Sequence, residues 1–265
     1  MGAAATRGKE IERVFAVGQH IRSREYGRLF AEAGVTDLFW SHCLAGKTRL
    51  QGQPWIRTYP FPLYPVQQVI RGAEDFDRPR RWLFSFVGSR APNYYLTQSR
   101  NHIIDLLGED PRGMVMGRDG WHYQKVVYEA QILASAPAAE GGAGLINDAH
   151  SNDFNAVMDE TIFALCPSGS GPNSIRLWEA MLNGAIPVIM SDDWDPPGDP
   201  ALWEAASIRC EETPQAIAVL PDRLEAIAAE PGRLKAMRAA LDDLAQRYGP
   251  DGFVGDVIEM FEDTR

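Results

Sequence analysis

Cysteine is scarce in this chain. There are three in 265 residues, Cys43, Cys166 and Cys210, far apart and with no C-x-x-C pair. An odd, scattered count argues against a disulfide framework and a thiolate zinc site, and fits a reduced, cytoplasmic setting. Cys166 sits in an apolar run and reads as a small buried hydrophobe. Long apolar runs are missing too. No stretch approaches the ~18 residues of a membrane span, and the start, "MGAAATRGKEIERV", lacks the apolar centre of a signal peptide and reads as a disordered tail. Positive charge is in the minority, with 26 Lys and Arg against 36 Asp and Glu, a net charge of −10. That balance excludes the basic stripe a nucleic-acid partner needs. A small anionic ligand stays compatible, because a pocket can be locally positive in an acidic protein. No repeat is visible, and no Gly-x-x-x-x-Gly-Lys phosphate loop. His102, His122 and His150 lack metal-ligand spacing, so no histidine metal site is expected; no cofactor is expected either.

Hydrophobic residues, at 45%, are sufficient for a sizeable core. Residues 13–17 read as a buried strand, 23–34 as a helix, 36–40 as a second strand, and 55–65 as an extended segment that its three prolines keep from being helical. The charged stretch 74–81 reads as a linker. A second series follows: a strand over 81–89, a helix over 96–108, a short strand over 113–117, a small-residue loop over 134–151, then strand, helix and strand over 161–190. A strand over 206–210 and mostly helical chain from Pro214 complete it. Strands alternating with helices predict parallel sheets covered on both faces. Two such series predict a small N-terminal domain, 1–75, facing a larger one, 80–265, whose last helices can cross back.

Between the strand ending at Pro167 and the next helix stands "SGSGPNS". A loop of small residues opening a helix presents free backbone N–H groups and a positive dipole end, which suits phosphate. It equally suits a tight turn that needs glycine. Pro172 fits an early helical position. Glu179 lies in the same helix among Leu177, Trp178, Ala180 and Met181. A carboxylate in such company needs a partner. Five residues of helix rise about 7.5 Å, the reach from a phosphate at the helix start to the ribose of the same nucleotide. The alternative partner is Arg176, one turn away on the same helix face.

The block "CPSGSGPNSIRLWEAMLNGAIPVIMSDDWDPP", residues 166–197, resembles the signature of the exostosin glycosyltransferases, and "LFSFVGS" with "SRNHI" resembles the start of that family's donor half. "GQHIRSREYGRLFAEAGVTDLFWSH" and "PFPLYPVQ" are similar to the acceptor half of short bacterial members. The resemblance implies a GT-B fold, with two Rossmann-like domains facing across a cleft. It also implies a nucleotide-sugar donor, UDP- or GDP-linked, held by the C-terminal domain, a glycan or other hydroxyl acceptor, inversion at the anomeric carbon and no metal. Three departures stand out. The N-terminal half is short, so a partner copy could complete the acceptor side, and a homo-oligomer is left open. Gly171 stands eight positions before Glu179, where related retaining enzymes carry a glutamate. The anchor helix of animal and plant members is also missing.

By the resemblance, Glu179 holds the ribose and Ser168, Gly169, Asn173 and Ser174 form the phosphate loop. Arg176 adds charge there or orients Glu179, Arg100 faces the diphosphate, and Gly88 and Ser89 end a strand at the cleft. Asp192 and Asp193 meet the sugar hydroxyls or merely cap a turn. Inversion needs a base for the acceptor hydroxyl. His20 and His42 both follow N-terminal strands; His20 is the first candidate, with Asp193 in reserve. Two rival readings remain at this stage. One is an NAD-dependent oxidoreductase, from Gly169-x-Gly171 with an acid about 20 residues on. The other is a nucleotide-sugar binding module without catalysis.

Overall fold

The computed structural model describes residues 13–65, 69–71, 78–118 and 148–262. The N-terminal sheet consists of β1 (Phe15–Gly18), β2 (Asp37–Trp40), β3 (Arg49–Leu50) and β4 (Gln53–Pro60), in the order β1-β2-β4-β3. β1, β2 and β4 run parallel, while β3 forms an antiparallel edge hairpin with β4 that the sequence pattern had not suggested. The helix expected over 23–34 is two pieces: a 3-10 turn, Ile21–Tyr26, capped by the His20 side chain, and α1 (Gly27–Glu32). Leu38, Ile56, Val35 and Leu50 fill the α1 face of this sheet.

The C-terminal sheet consists of β5 (Trp82–Ser89), β6 (Gly113–Arg118), β7 (Thr161–Pro167), β8 (Ile186–Met190) and β9 (Ile208–Arg209), all parallel and ordered β6-β5-β7-β8-β9. Sequential strands lie on opposite sides of β5, so the strand order reverses between β5 and β7, and a crevice opens beyond their carboxyl ends. Helices α2 (Ser99–Leu107), α3 (Asp148–Asp159) and α4 (Ile175–Asn183) connect or precede these strands, and α5 (Pro200–Ala206) joins β8 to β9. The region expected to be mostly helical from Pro214 forms four helices among the described residues: α6 (Pro214–Ala218), α7 (Leu220–Ala228), α8 (Pro231–Tyr248) and α9 (Gly255–Glu262). α3 begins inside the stretch expected to be loop over 134–151; the earlier part of that stretch lies outside the described residues. The core of this half runs through Phe84, Phe86, Phe163, Leu165, Ile186 and Val188, all fully buried.

Two chain crossings join the halves. Phe61 still packs with Phe39 of the N-terminal sheet, whereas Arg71 is already docked on the other half, its Nη2 2.7 Å from Asp159 Oδ1. Arg80 donates to the carbonyls of Thr161 and Asn183. The end of the expected linker, residues 78–80, therefore belongs to the C-terminal half; 72–77 lie outside the described residues. At the other crossing, Tyr248 closes the aromatic cluster of Trp178, Trp194 and Trp203. A few residues later, Phe253 meets Phe61 and Tyr64, and Phe261 meets Phe15.

Candidate functional site

A cavity of about 380 Å³ lies between the halves. It is within the usual size of small-molecule sites, roughly 300–1,000 Å³. Its floor is the crevice at the strand-order reversal: Gly88 and Ser89 at the end of β5, and Gly169, Ser170 and Gly171 after β7. Asn173, Ser174, Arg176 and Glu179 enter from the start of α4, Arg100 and Tyr95 from the start of α2. Gln19, His20, Ile21 and His42 close it from the N-terminal half.

α4 forms where it does because Ser174 takes the extended N-cap conformation and Gly184, at φ 75°, takes the left-handed one that ends it. Pro172 thus precedes the helix instead of occupying its first turn. Every residue from Arg176 to Asn183 is buried, Glu179 among them at 5% exposure.

Arg176 lies over the Phe86 ring, 4.6 Å from its centroid, and its Nη2 donates to the Val87 carbonyl. Its Nε and Nη1 are buried with no hydrogen-bond acceptor among the described residues. Arg100 lies over the Tyr95 ring at 4.8 Å and donates from Nε to the Ser168 carbonyl. Burial lowers the pKa of both guanidinium groups; the positive charge of Arg176 lowers that of Arg100 further. A Cβ on Gly88 would meet both, and one on Gly169 would stand 3.5 Å from Arg100 Nη2. Two unit charges 4 Å apart in a medium of effective dielectric about 20 interact by about 4 kcal/mol. A pair of guanidiniums sharing a site is therefore costly on its own and favourable around a dianion.

Three of the residues singled out from sequence do not line this cavity. Ser168 turns away and donates to Glu212 Oε1 at 2.5 Å. That oxygen also accepts from Thr97 Oγ1 (2.8 Å) and Ser99 Oγ (3.1 Å). Glu212 therefore holds the glycine-rich loop to the start of α2, a role sequence reasoning missed; its only local signal is an acid beside the end of β9. Asp192 is exposed and lines a larger cavity, about 680 Å³, with Arg209 and Arg223 beyond β9. Asp193 is exposed, and its carbonyl accepts from Ala45 N at 2.9 Å. The expectation was that these two aspartates meet the donor sugar; in the structure neither lines this cavity. The side chain of Asn173 is also engaged, donating to Ser41 O and accepting from Trp178 Nε1, so only the rest of the residue faces the cavity.

His20 lines the cavity with its Nδ1 accepting from Arg22 N at 3.1 Å. His42 is 4% exposed, and burial, with a smaller push from His20, lowers its pKa to about 4 against a hydrogen bond to the Gln19 backbone. The three cysteines are buried and unpaired, with burial raising Cys166 to about 12, which leaves no reactive thiol among them. Among the described residues no cluster of His, Cys, Asp or Glu has the makings of a metal site, and no helix is long and apolar enough to cross a membrane.

Comparison with known proteins places this geometry. The exostosin GT47 domain model matches residues 41–220. Exostosin-1 of Drosophila melanogaster is 32% identical over 190 residues, 71% of this chain and 23% of that protein. A probable β-1,4-xylosyltransferase, IRX10L, of Arabidopsis thaliana is 40% identical over 135 residues, 51% of this chain and 30% of its own length. The chain thus spans about a quarter to a third of these relatives. Among solved structures, the pneumococcal O-GlcNAc transferase GtfA in complex with UDP and GlcNAc aligns over 94% of this chain and 44% of its own, at 13% identity and a TM-score of 0.42.

Proposed function

Because the chain belongs to the exostosin GT47 family, we propose that it is a glycosyltransferase, taking a sugar from a nucleoside diphosphate and passing it to a hydroxyl of a glycan. The observation that carries this reading is the pair Arg100 and Arg176, two guanidiniums turned to one cavity floor over Gly88, with part of Arg176 unpaired. A diphosphate laid across Gly88, Gly169 and the start of α4 would receive both, along with the helix dipole. Glu179, further along α4, would accept hydrogen bonds from the ribose hydroxyls.

As the bond to the anomeric carbon breaks, negative charge grows on the diphosphate. Positive groups already in place stabilise it without reorganisation. The arginine pair thereby covers the task a divalent ion performs elsewhere, and the reaction runs without metal. The donor is held by the C-terminal half, and the opposite wall carries imidazoles. An acceptor hydroxyl entering from that wall attacks the face away from the leaving group, which gives inversion.

UDP and GDP are the first ligands to test by calorimetry, with and without EDTA, and NADH as the contrast. Binding of UDP or GDP that survives EDTA is the expected result; binding of NADH alone would overturn the reading in favour of an oxidoreductase. Relatives that carry the names xylosyltransferase and glucuronosyltransferase make UDP-xylose and UDP-glucuronate the first donors for turnover.

A further inference from the structure

His42 is held from both sides by the half that would carry the donor. The carbonyl of Ser41, just before it, accepts from Asn173 Nδ2 at 2.8 Å and from Trp194 Nε1 at 3.3 Å. The carbonyl of Cys43, just after it, accepts from Asp195 N at 3.1 Å. Leu44 forms an antiparallel bridge with Trp194. An N-terminal residue is thus fixed in the frame of the C-terminal sheet.

The imidazole itself is 4% exposed, and its Nδ1 has no hydrogen-bond partner among the described residues. Leaving a buried polar atom unpaired costs about 1–3 kcal/mol, so an orphan at a cavity wall calls for a ligand. The ring hydrogen-bonds the Gln19 backbone, which favours its protonated form, and it can accept a proton at Nδ1 in the tautomer that leaves this nitrogen without hydrogen. That nitrogen faces the glycine-rich loop: a Cβ on Gly171 would stand 2.6 Å from it. The absent side chain at 171 leaves the room this imidazole occupies. His20, by contrast, has its Nδ1 taken by the backbone of Arg22.

We propose that His42 Nδ1 is the group that receives the proton of the acceptor hydroxyl, which moves the role from His20; the proposal rests on the donor-site reading above. The hydroxyl oxygen forms its bond to the anomeric carbon as its proton passes to Nδ1. The bond from that carbon to the diphosphate oxygen breaks, its electron pair leaving on the diphosphate between Arg100 and Arg176. The hydrogen bond with the Gln19 backbone favours the imidazolium, and the proton then passes to water. In the free protein His42 stays neutral in the company of His20, Arg100 and Arg176, with Glu179, across the cavity, the one acid among the described residues that line it. An arriving diphosphate reverses that balance and strengthens the base when the donor is in place.

The test uses the full chain with ring-¹⁵N-labelled histidine, and UDP as the probe. His42 should show an unprotonated Nδ1 and a titration midpoint below 5 that rises by more than about one unit in saturating UDP. Separately, His42→Asn, which keeps a polar atom near Nδ1 but cannot accept a proton at neutral pH, should lower UDP-xylose or UDP-glucuronate turnover about 100-fold or more. Its UDP affinity should stay within about twofold of the native chain, by the logic that the base touches acceptor and not phosphate. The proposal is overturned if UDP moves the Arg100 and Arg176 side-chain signals but leaves the His42 titration unmoved. It is equally overturned if His42→Asn turns over normally while His20→Ala does not. If UDP moves no signal at all, the donor-site reading fails, and this proposal falls with it.

Discussion

Arg100 and Arg176 converge on the backbone of Gly88: a Cβ there would lie 2.7 Å from Arg176 Nη2 and 3.5 Å from Arg100 Nη1. The absence of a side chain at the end of β5 is what leaves room for two guanidiniums at one place on the cavity floor.

Gly88→Ala should therefore act on ligand more than on fold. The methyl pushes the end of the Arg176 side chain and stands 3.2 Å from Phe86 Cζ, which must give slightly, and the arginine pair loses its geometry. UDP affinity should fall about tenfold, which is about 1.4 kcal/mol, with little change in melting temperature. Calorimetry with UDP decides it; unchanged affinity would mean the pair does not hold the phosphates.

Glu179→Ala separates ribose from phosphate. Loss of hydrogen bonds to a charged group costs about 1.5–3 kcal/mol, and UDP should weaken by that amount. Inorganic pyrophosphate, which has no ribose, should bind as before. Equal weakening of both ligands would assign Glu179 to the electrostatics of Arg176 instead.

Glu212→Ala leaves the hydroxyls of Thr97, Ser99 and Ser168 without their shared acceptor. The expected cost is about 1–3 kcal/mol of stability, together with weaker pyrophosphate binding as the loop loses its tie to α2. Glu212→Gln, which keeps a carbonyl oxygen there, should recover most of the binding. Thermal unfolding and pyrophosphate titration read the two effects separately.

Asp37 gives a pH prediction. Burial pushes its pKa up, but hydrogen bonds from Arg13, Thr36 and Tyr59 outweigh that and hold it below its ordinary 3.8. A carboxylate depressed in this way stabilises the fold above its unfolded pKa, and that stability is lost as pH falls below 3.8 toward the folded value. Asp37→Asn should cost about 1–3 kcal/mol at pH 7, as Arg13 and Arg57, both partly exposed, lose their buried anionic partner. Its disadvantage should narrow under acid. Urea unfolding at neutral pH and near pH 3 checks both; a gap that stays constant would remove Asp37 from the acid response.

The block from Cys166 to Pro197 was legible because it is local. An apolar run, a small-residue loop, a helix ended by Gly184 and a second apolar run follow in order, and β7, α4 and β8 form where each was read. Glu179 stood out as a carboxylate among buried apolar residues, and it lines the cavity. Glu212 was not legible, because its partners Thr97 and Ser168 are 115 and 44 residues away. Nor was the fixing of His42, which depends on backbone bonds from the opposite half. The placement of Asp192 and Asp193 was not legible either, because a strand end suggests a site while only the direction of the following turn decides which cavity a side chain lines.

The contact of Phe253 and Phe261 with Phe61 and Phe15 sets an order of events for the newborn chain. Arg13 reaches Met260, 247 residues further on. The β1–β4 sheet leaves the ribosome long before α9, and one of its faces waits for that helix. Until then its aromatic rings lie open, a state prone to sticking to other chains. A fragment ending at Tyr248 would keep every residue of the proposed cavity and still lack that cover. Poor solubility of such a fragment would therefore report on the unfinished first sheet and say nothing against the site.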